Sequence, residues 1–176
     1  MTIRTPRLLL RALSPADAPR LCLLAGDYDV ASMTATIPYP YSERQAAEWI
    51  DSVRAGEEGV VFAIERSGLL IGCTGYRRFG GDHAELGYWI GKPYWGMGYA
   101  TEAVRALIVY AFETDGFAYL RVGHFADNPA SARVIEKLGF APEGQERRHC
   151  AARGTKAQCR TYRLDRAVAL AGFLRS

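Results

Sequence analysis

Three small residues alternate at the mouth of a long apolar-periodic segment: Gly96, Gly98 and Ala100, in WGMGYATEAV. A helix start leaves four backbone N–H groups unpaired and carries about half a positive charge. Small side chains let an anion reach those groups, and phosphate is the common guest. The N–H groups of Met97, Gly98, Tyr99, Ala100 and Thr101 are therefore expected to form an anion cradle, with the Met97 and Tyr99 side chains alternating outward. The competing reading is a plain turn between strand and helix. Gly91 and Gly96 have the spacing of a P-loop, but Met97 stands where its lysine must be. A dinucleotide fingerprint lacks its third glycine, with Thr101 in that place, and Asp127 follows 29 positions after Gly98 rather than about 20.

A second helix mouth carries Asn128-Pro129 as cap and first residue, with Ser131 at the third helical position. That spacing fits a self-sufficient helix start and equally a polar pair aimed at a ligand.

These groups need elements to hold them. RLLLRAL (7–13) reads as a first strand and PADAPRLCLLAG (15–26) as a short helix. Ser42 and Gln45 form a capping box for a helix with Ala46, Trp49, Ile50 and Val53 on one face, and Gly56 as its stop. GVVFAIE, LLIGCTGYRRF and HAELGYWIG follow as three strand-like runs joined by short glycine-containing connections, the mark of antiparallel hairpins. The helix over 99–113 comes next, then the strand AYLRVGHF, the helix opened by Asn128 and closed by Gly139, and strand-like FAPEGQERR and AQCRTYRLD. The strand-helix-strand at 83–125 is long enough for a right-handed parallel crossover. The expectation is one α+β domain over residues 1–176, with a mixed, mostly antiparallel sheet flanked by helices. Its functional edge should lie at the carboxyl ends of the parallel strands.

Composition sets the outer bounds. The 176 residues are 49% hydrophobic and 23% charged with net charge +3, too mild a balance to point to a specific nucleic-acid partner. Cys22, Cys73, Cys150 and Cys159 form no CxxC pair and no zinc-ligand spacing, so neither a metal nor a disulfide framework is expected. No run approaches the ~18 apolar residues of a membrane span, and the three leucines near the N-terminus are too few for a signal peptide. A soluble cytoplasmic protein, monomer or homodimer, without a membrane partner, is the expected class.

YWGMGYATEAV and NPASARVIEKLGF resemble the two acetyl-CoA segments of the GCN5-related N-acetyltransferases (GNAT family). TPRLLLRAL, IPYPYSERQAAEWI and AELGYWIG resemble the RimJ/RimL-like branch, which includes ribosomal-protein N-terminal acetyltransferases. The resemblance spans about Thr5 to Leu164. One position departs: the family pattern [QR]xxGx[GA] has Trp95 in its first place here.

The resemblance implies the acyl-CoA N-acyltransferase fold, in which the strand carrying Tyr88, Trp89 and Ile90 splays from its parallel neighbour to admit the pantetheine arm. It implies a diphosphate on the 97–101 amides and a backbone N–H near Ile90 polarising the acetyl carbonyl. Asn128 would bond the arm, and Ser131 would donate to the departing thiolate. Acetyl-CoA is then the cosubstrate, with no metal. The base must take a proton from an amine. Glu85 is the candidate, on a strand where burial would raise its carboxyl towards a useful value; the alternative is a solvated strand carboxylate. His83 shares its face but reads as a surface residue. Tyr39, Tyr41 and Trp49 are expected to wall the acceptor groove. Seven Lys/Arg against one Asp over 147–166 read either as a site for an acidic acceptor or the ribosome surface, or as a solvated face.

The acceptor is expected to be a primary amine, foremost a protein N-terminal α-amine, acylated directly in a ternary complex. Acetylation of a small amine such as an antibiotic or polyamine, and a non-catalytic acyl-CoA sensor, are the alternatives.

Overall fold

The computed structural model describes residues 2–173; positions 1 and 174–176 of the expected domain lie outside the described residues. Eight strands form one sheet in the order β1-β2-β3-β4-β5-β6-β8-β7. They are β1 (Thr2–Arg4), β2 (Leu9–Arg11), β3 (Val60–Arg66), β4 (Leu69–Phe79), β5 (His83–Ile90), β6 (Tyr119–Phe125), β7 (Ala141–Cys150) and β8 (Thr155–Asp165). β5 and β6 are parallel and the other pairs are antiparallel, as the hairpin spacing and the crossover length require.

Helices cover both faces. α4 (Tyr99–Thr114), α5 (Pro129–Lys137) and α6 (Arg166–Phe173) contribute to a core with Phe62, Ile64, Ala84 and Leu86 of the sheet. α1 (Ala18–Ala25) and α3 (Glu43–Arg54) bury Leu21, Leu24, Ala46 and Ile50 against Ala63, Leu70 and Cys73. Strand alternation divides neighbouring residues such as Phe62 and Ala63 between these two cores.

The local signals act as read. Ser42 Oγ accepts from the Gln45 N–H while Gln45 Oε1 accepts from the Ser42 N–H, closing the capping box on α3. Gly56 and Gly139 take positive φ just past α3 and α5. Strand β1, the short helix α2 (Tyr28–Ala31) and α6 were not expected from the sequence. β1 is three residues long and acquires its definition by pairing with β2, which is itself shortened to Leu9–Arg11. Four helical residues such as those of α2 are too few to leave an amphipathic period.

Candidate active site

The parallel pair opens halfway along. β5 and β6 are in register from His83↔Tyr119 to Leu86↔Val122 and no further. Beyond that point Gly87–Ile90 stay on β4, down to Gly72↔Ile90, while residues 123–125 stay on β8, up to Phe125↔Cys159. A glycine lies on each side of the opening. A Cβ on Gly72 would sit 2.2 Å from the Trp89 carbonyl, and one on Gly123 would sit 2.9 Å from Cys159 Sγ. At both positions a side chain would meet the neighbouring strand.

The gap is lined by backbone polar groups. The Asp82 carbonyl accepts from Ala118 N–H on the β6 side (2.8 Å), and Gly91 N–H donates to the Ile71 carbonyl on the β4 side (2.8 Å). Backbone groups alternate along a strand, so the N–H groups of Tyr88 and Ile90 face the opening. The Ile90 carbonyl already accepts from the Trp95 indole N–H (2.7 Å).

At the carboxyl end of β5 the chain turns through Lys92–Tyr94, a short 3₁₀ segment, into α4. Gly96 (φ 73°) and Gly98 (φ 80°) are left-handed, a conformation glycine adopts without steric cost. Gly98 is the N-cap and supplies no side-chain acceptor. Among the described residues, none accepts from the N–H groups of Met97, Gly98, Tyr99, Ala100 or Thr101. The Met97 side chain is 49% exposed, as expected. Tyr99 corrects the expected alternation: its ring is 4% exposed and packs in the main core. It shares the inner face with Ala103 and Leu107 at i+4 and i+8, so helical geometry overrides the turn pattern at this residue.

A cavity of about 1540 Å³ runs from this turn through the gap to α1 and α3. It brings together Glu85, Trp89, Ile90, Gly96, Gly98, Ala100, Thr101, Asn128, Ser131, Tyr41 and Trp49. Tyr39 is not among the lining residues; its ring packs edge-on against Tyr28 at 5.0 Å. His83 stacks on Tyr119 at 4.6 Å, away from the cavity.

Asn128 caps α5, its Oδ1 accepting from Ser131 N–H at 3.1 Å, which leaves its amide NH₂ for other contacts. Ser131 Oγ lies 2.6 Å from the Tyr88 hydroxyl, across the opening. Burial pushes the Tyr88 phenol up to about 12, against the opposing effect of the Ser131 hydrogen bond. Tyr88 belongs to the site and was passed over because only its strand, not its partner 43 positions away, is visible in the sequence.

Glu85 differs from expectation in its surroundings. The carboxylate is 21% exposed and paired with Arg148, Nη1 to Oε1 at 2.5 Å, instead of standing alone in apolar surroundings. Arg148 also donates to Glu146 Oε1 through Nε (3.0 Å) and Nη2 (2.5 Å). Burial lowers and the carboxylate bonds raise the Arg148 pKa, and the bonds prevail. Within the basic run over 147–166, Arg153 pairs with Asp127 and Arg163 with Asp165, while Arg147 donates to the Lys156 carbonyl.

Cys73 and Cys159 also line the cavity, with burial first among the causes that raise both thiols. Protonated thiols are poor nucleophiles. Among the described residues no group of three His, Cys, Asp or Glu is placed to hold a metal, and no helix is long and apolar enough to cross a membrane. The free amides, the polar gap and the cavity fit a long, phosphate-bearing thioester.

Comparison with known proteins points the same way. A family model described as Acetyltransferase (GNAT) domain matches residues 7–141. The uncharacterized N-acetyltransferase YoaA of Bacillus subtilis is 29% identical over 167 residues, 91% of this chain and 94% of that one. The ribosomal-protein-serine acetyltransferase of Escherichia coli is 30% identical over 86 residues, 48% of each chain. In fold, the chain resembles RimL, a ribosomal L7/L12 alpha-N-protein acetyltransferase solved with coenzyme A. The TM-score is 0.82 at 18% identity, covering 96% of this chain and 99% of the other.

Proposed function

The chain belongs to the GNAT acetyltransferase family and uses acetyl-CoA, and on that premise we propose that it acetylates the α-amine at a protein N-terminus by direct transfer in a ternary complex. Residues 1–176 act as one catalytic domain, in the cytoplasm, where its four free cysteines stay reduced. The observation that carries the reading is the sheet opening at Gly87–Ile90, set directly beside the unpaired amides of 97–101.

The amides of Met97 to Thr101 hold the diphosphate, with Gly96 and Gly98 keeping side chains out of its way. Along the gap, the Asn128 amide and the backbone of Trp89 and Ile90 hold the pantetheine arm, and the Ile90 N–H donates to the carbonyl oxygen as negative charge develops on it. Glu85 takes the proton from the attacking amine, through a water. The amine nitrogen bonds to the carbonyl carbon, the C–S bond breaks, and the departing thiolate, held by a hydrogen bond donated from Ser131 Oγ, takes its proton from solvent. Tyr41 and Trp49, on the far side of the cavity, contact the residues that follow the amine; the cavity lining gives Tyr39 no part in this. Buried, protonated Cys73 and Cys159 favour direct attack over an acyl-enzyme.

The test offers acetyl-CoA with N-terminal peptides, free lysine side chains, a polyamine and an aminoglycoside, and reads acetylation by mass spectrometry. Acetylation of peptide α-amines, lost in Glu85→Gln with coenzyme affinity retained, is the expected result. Acetyl found only on the polyamine or the aminoglycoside overturns the acceptor assignment. Coenzyme binding without any transfer overturns catalysis in favour of a sensor.

A further inference from the structure

The polar first position of the family's diphosphate segment is occupied here by Trp95, whose indole N–H is spent on the Ile90 carbonyl. Residues 95–98 therefore carry no cationic side chain of their own, and Lys92 just before them is paired with Asp29.

One arrives from the loop between β1 and β2. Arg7, its side chain 48% exposed, is fixed on three sides. Nε donates to Glu102 Oε2 at 2.6 Å, Nη1 donates to the Met97 carbonyl at 2.9 Å, and the guanidinium lies over the Tyr99 ring at 4.7 Å. Nη2 has no acceptor among the described residues, and it sits 3.4 Å from where a Gly98 Cβ would project. Glu102 is itself held by the Thr5 hydroxyl (2.6 Å) and the Arg7 N–H (2.9 Å). Burial pushes the Glu102 carboxyl up, but these bonds outweigh it and keep the group charged. A carboxylate in the first turn of α4 would repel a diphosphate, and Arg7 cancels that charge while leaving one corner of its fork directed at the glycine turn.

We propose that Arg7 is a coenzyme-binding residue, its Nη2 completing with the α4 amides a diphosphate site that reaches across from the N-terminal loop. This rests on reading residues 97–101 as the diphosphate cradle. A guanidinium suits the role because its planar fork can serve Glu102, the Met97 carbonyl and a phosphate oxygen at once, which an ammonium cannot.

The experiment compares kcat/KM for acetyl-CoA with kcat/KM for S-acetylpantetheine, which keeps the thioester and lacks the diphosphate. Arg7→Met is expected to lower the ratio of the two by about 10- to 100-fold, the loss typical of a hydrogen bond between charged partners. Arg7→Lys, which keeps charge without the fork, should fall between. A merely structural Arg7 would slow both donors alike, and an unchanged ratio in these variants overturns the proposal. Should Arg7→Met fail to fold, Arg7→Lys decides alone, a wild-type ratio counting against it. Gly98→Val separates the two levels. Normal coenzyme affinity in Gly98→Val removes the cradle itself, whereas weakened affinity there with an unchanged Arg7 ratio removes only Arg7.

Discussion

Gly98→Val separates what a glycine does for the fold from what it does for the coenzyme. At φ 80° any side chain pays for a left-handed backbone, about 1–2 kcal/mol. Space costs little more, since among the described residues beyond its chain neighbours the new Cβ meets Arg7 Nη2 at 3.4 Å, the far end of a flexible side chain. Against a typical stability of about 5–15 kcal/mol the variant folds. The coenzyme loses far more. A branched side chain at the mouth of α4 blocks the diphosphate from at least two amides, each charge-assisted bond contributing about 1.5–3 kcal/mol. The expected loss is ~3–6 kcal/mol, or about 10²- to 10⁴-fold in affinity. Gly116→Val is the matched control: φ is 66°, nothing lies within 4 Å, and the position is at the opposite end of α4. Urea denaturation should show similar stability losses in both variants, and titration calorimetry with CoA should show weakened binding only in Gly98→Val. A Gly98→Val protein that binds CoA as the parent does would refute the cradle.

Tyr88→Phe keeps the ring packing and deletes the hydroxyl that meets Ser131 Oγ. We expect kcat to fall about tenfold with little change in KM for acetyl-CoA, and no further fall in a Ser131→Ala background, because the phenol acts through that serine. Full additivity of the two substitutions in steady-state kinetics would disprove the coupling. On the acid side, burial raises the Asp17 carboxyl, but Arg11 (Nη1 and Nη2, both 2.8 Å) and the Ser14 N–H outweigh it and lower its pKa. A depressed folded-state value gives stability that is fully present above the unfolded value, near pH 4, and lost as pH falls through the folded one. Between pH 5 and about pH 2, the urea midpoint should therefore drop more in the parent than in Asp17→Asn; equal slopes would show that the pair contributes nothing.

Much of the site was legible because it is local. Gly96, Gly98 and Ala100 before a periodic helix, the cap at Asn128, and hairpin spacing in the meander all express preferences within a few residues. Tyr99 is the first residue of α4, so the helical period and not the alternation of the preceding turn sets its direction and turns the ring inward. Tyr39 was grouped with Tyr41 by proximity, yet in the fold it turns to Tyr28 and leaves the cavity to its neighbour. Glu85 lies on the strand read for it, but its partner Arg148, 63 positions away, has no local signal.

The amino-acid sequence by itself determined the longer elements, the mixed sheet and the anion-ready helix mouth, because backbone conformation and side-chain periodicity are set by near neighbours. Only the tertiary structure decided which charges and hydroxyls meet. Arg7 with Glu102, Glu85 with Arg148 and Tyr88 with Ser131 are separated by 95, 63 and 43 positions. Each contact forms only when strand register and helix docking bring two side chains within reach, and no local preference encodes that distance.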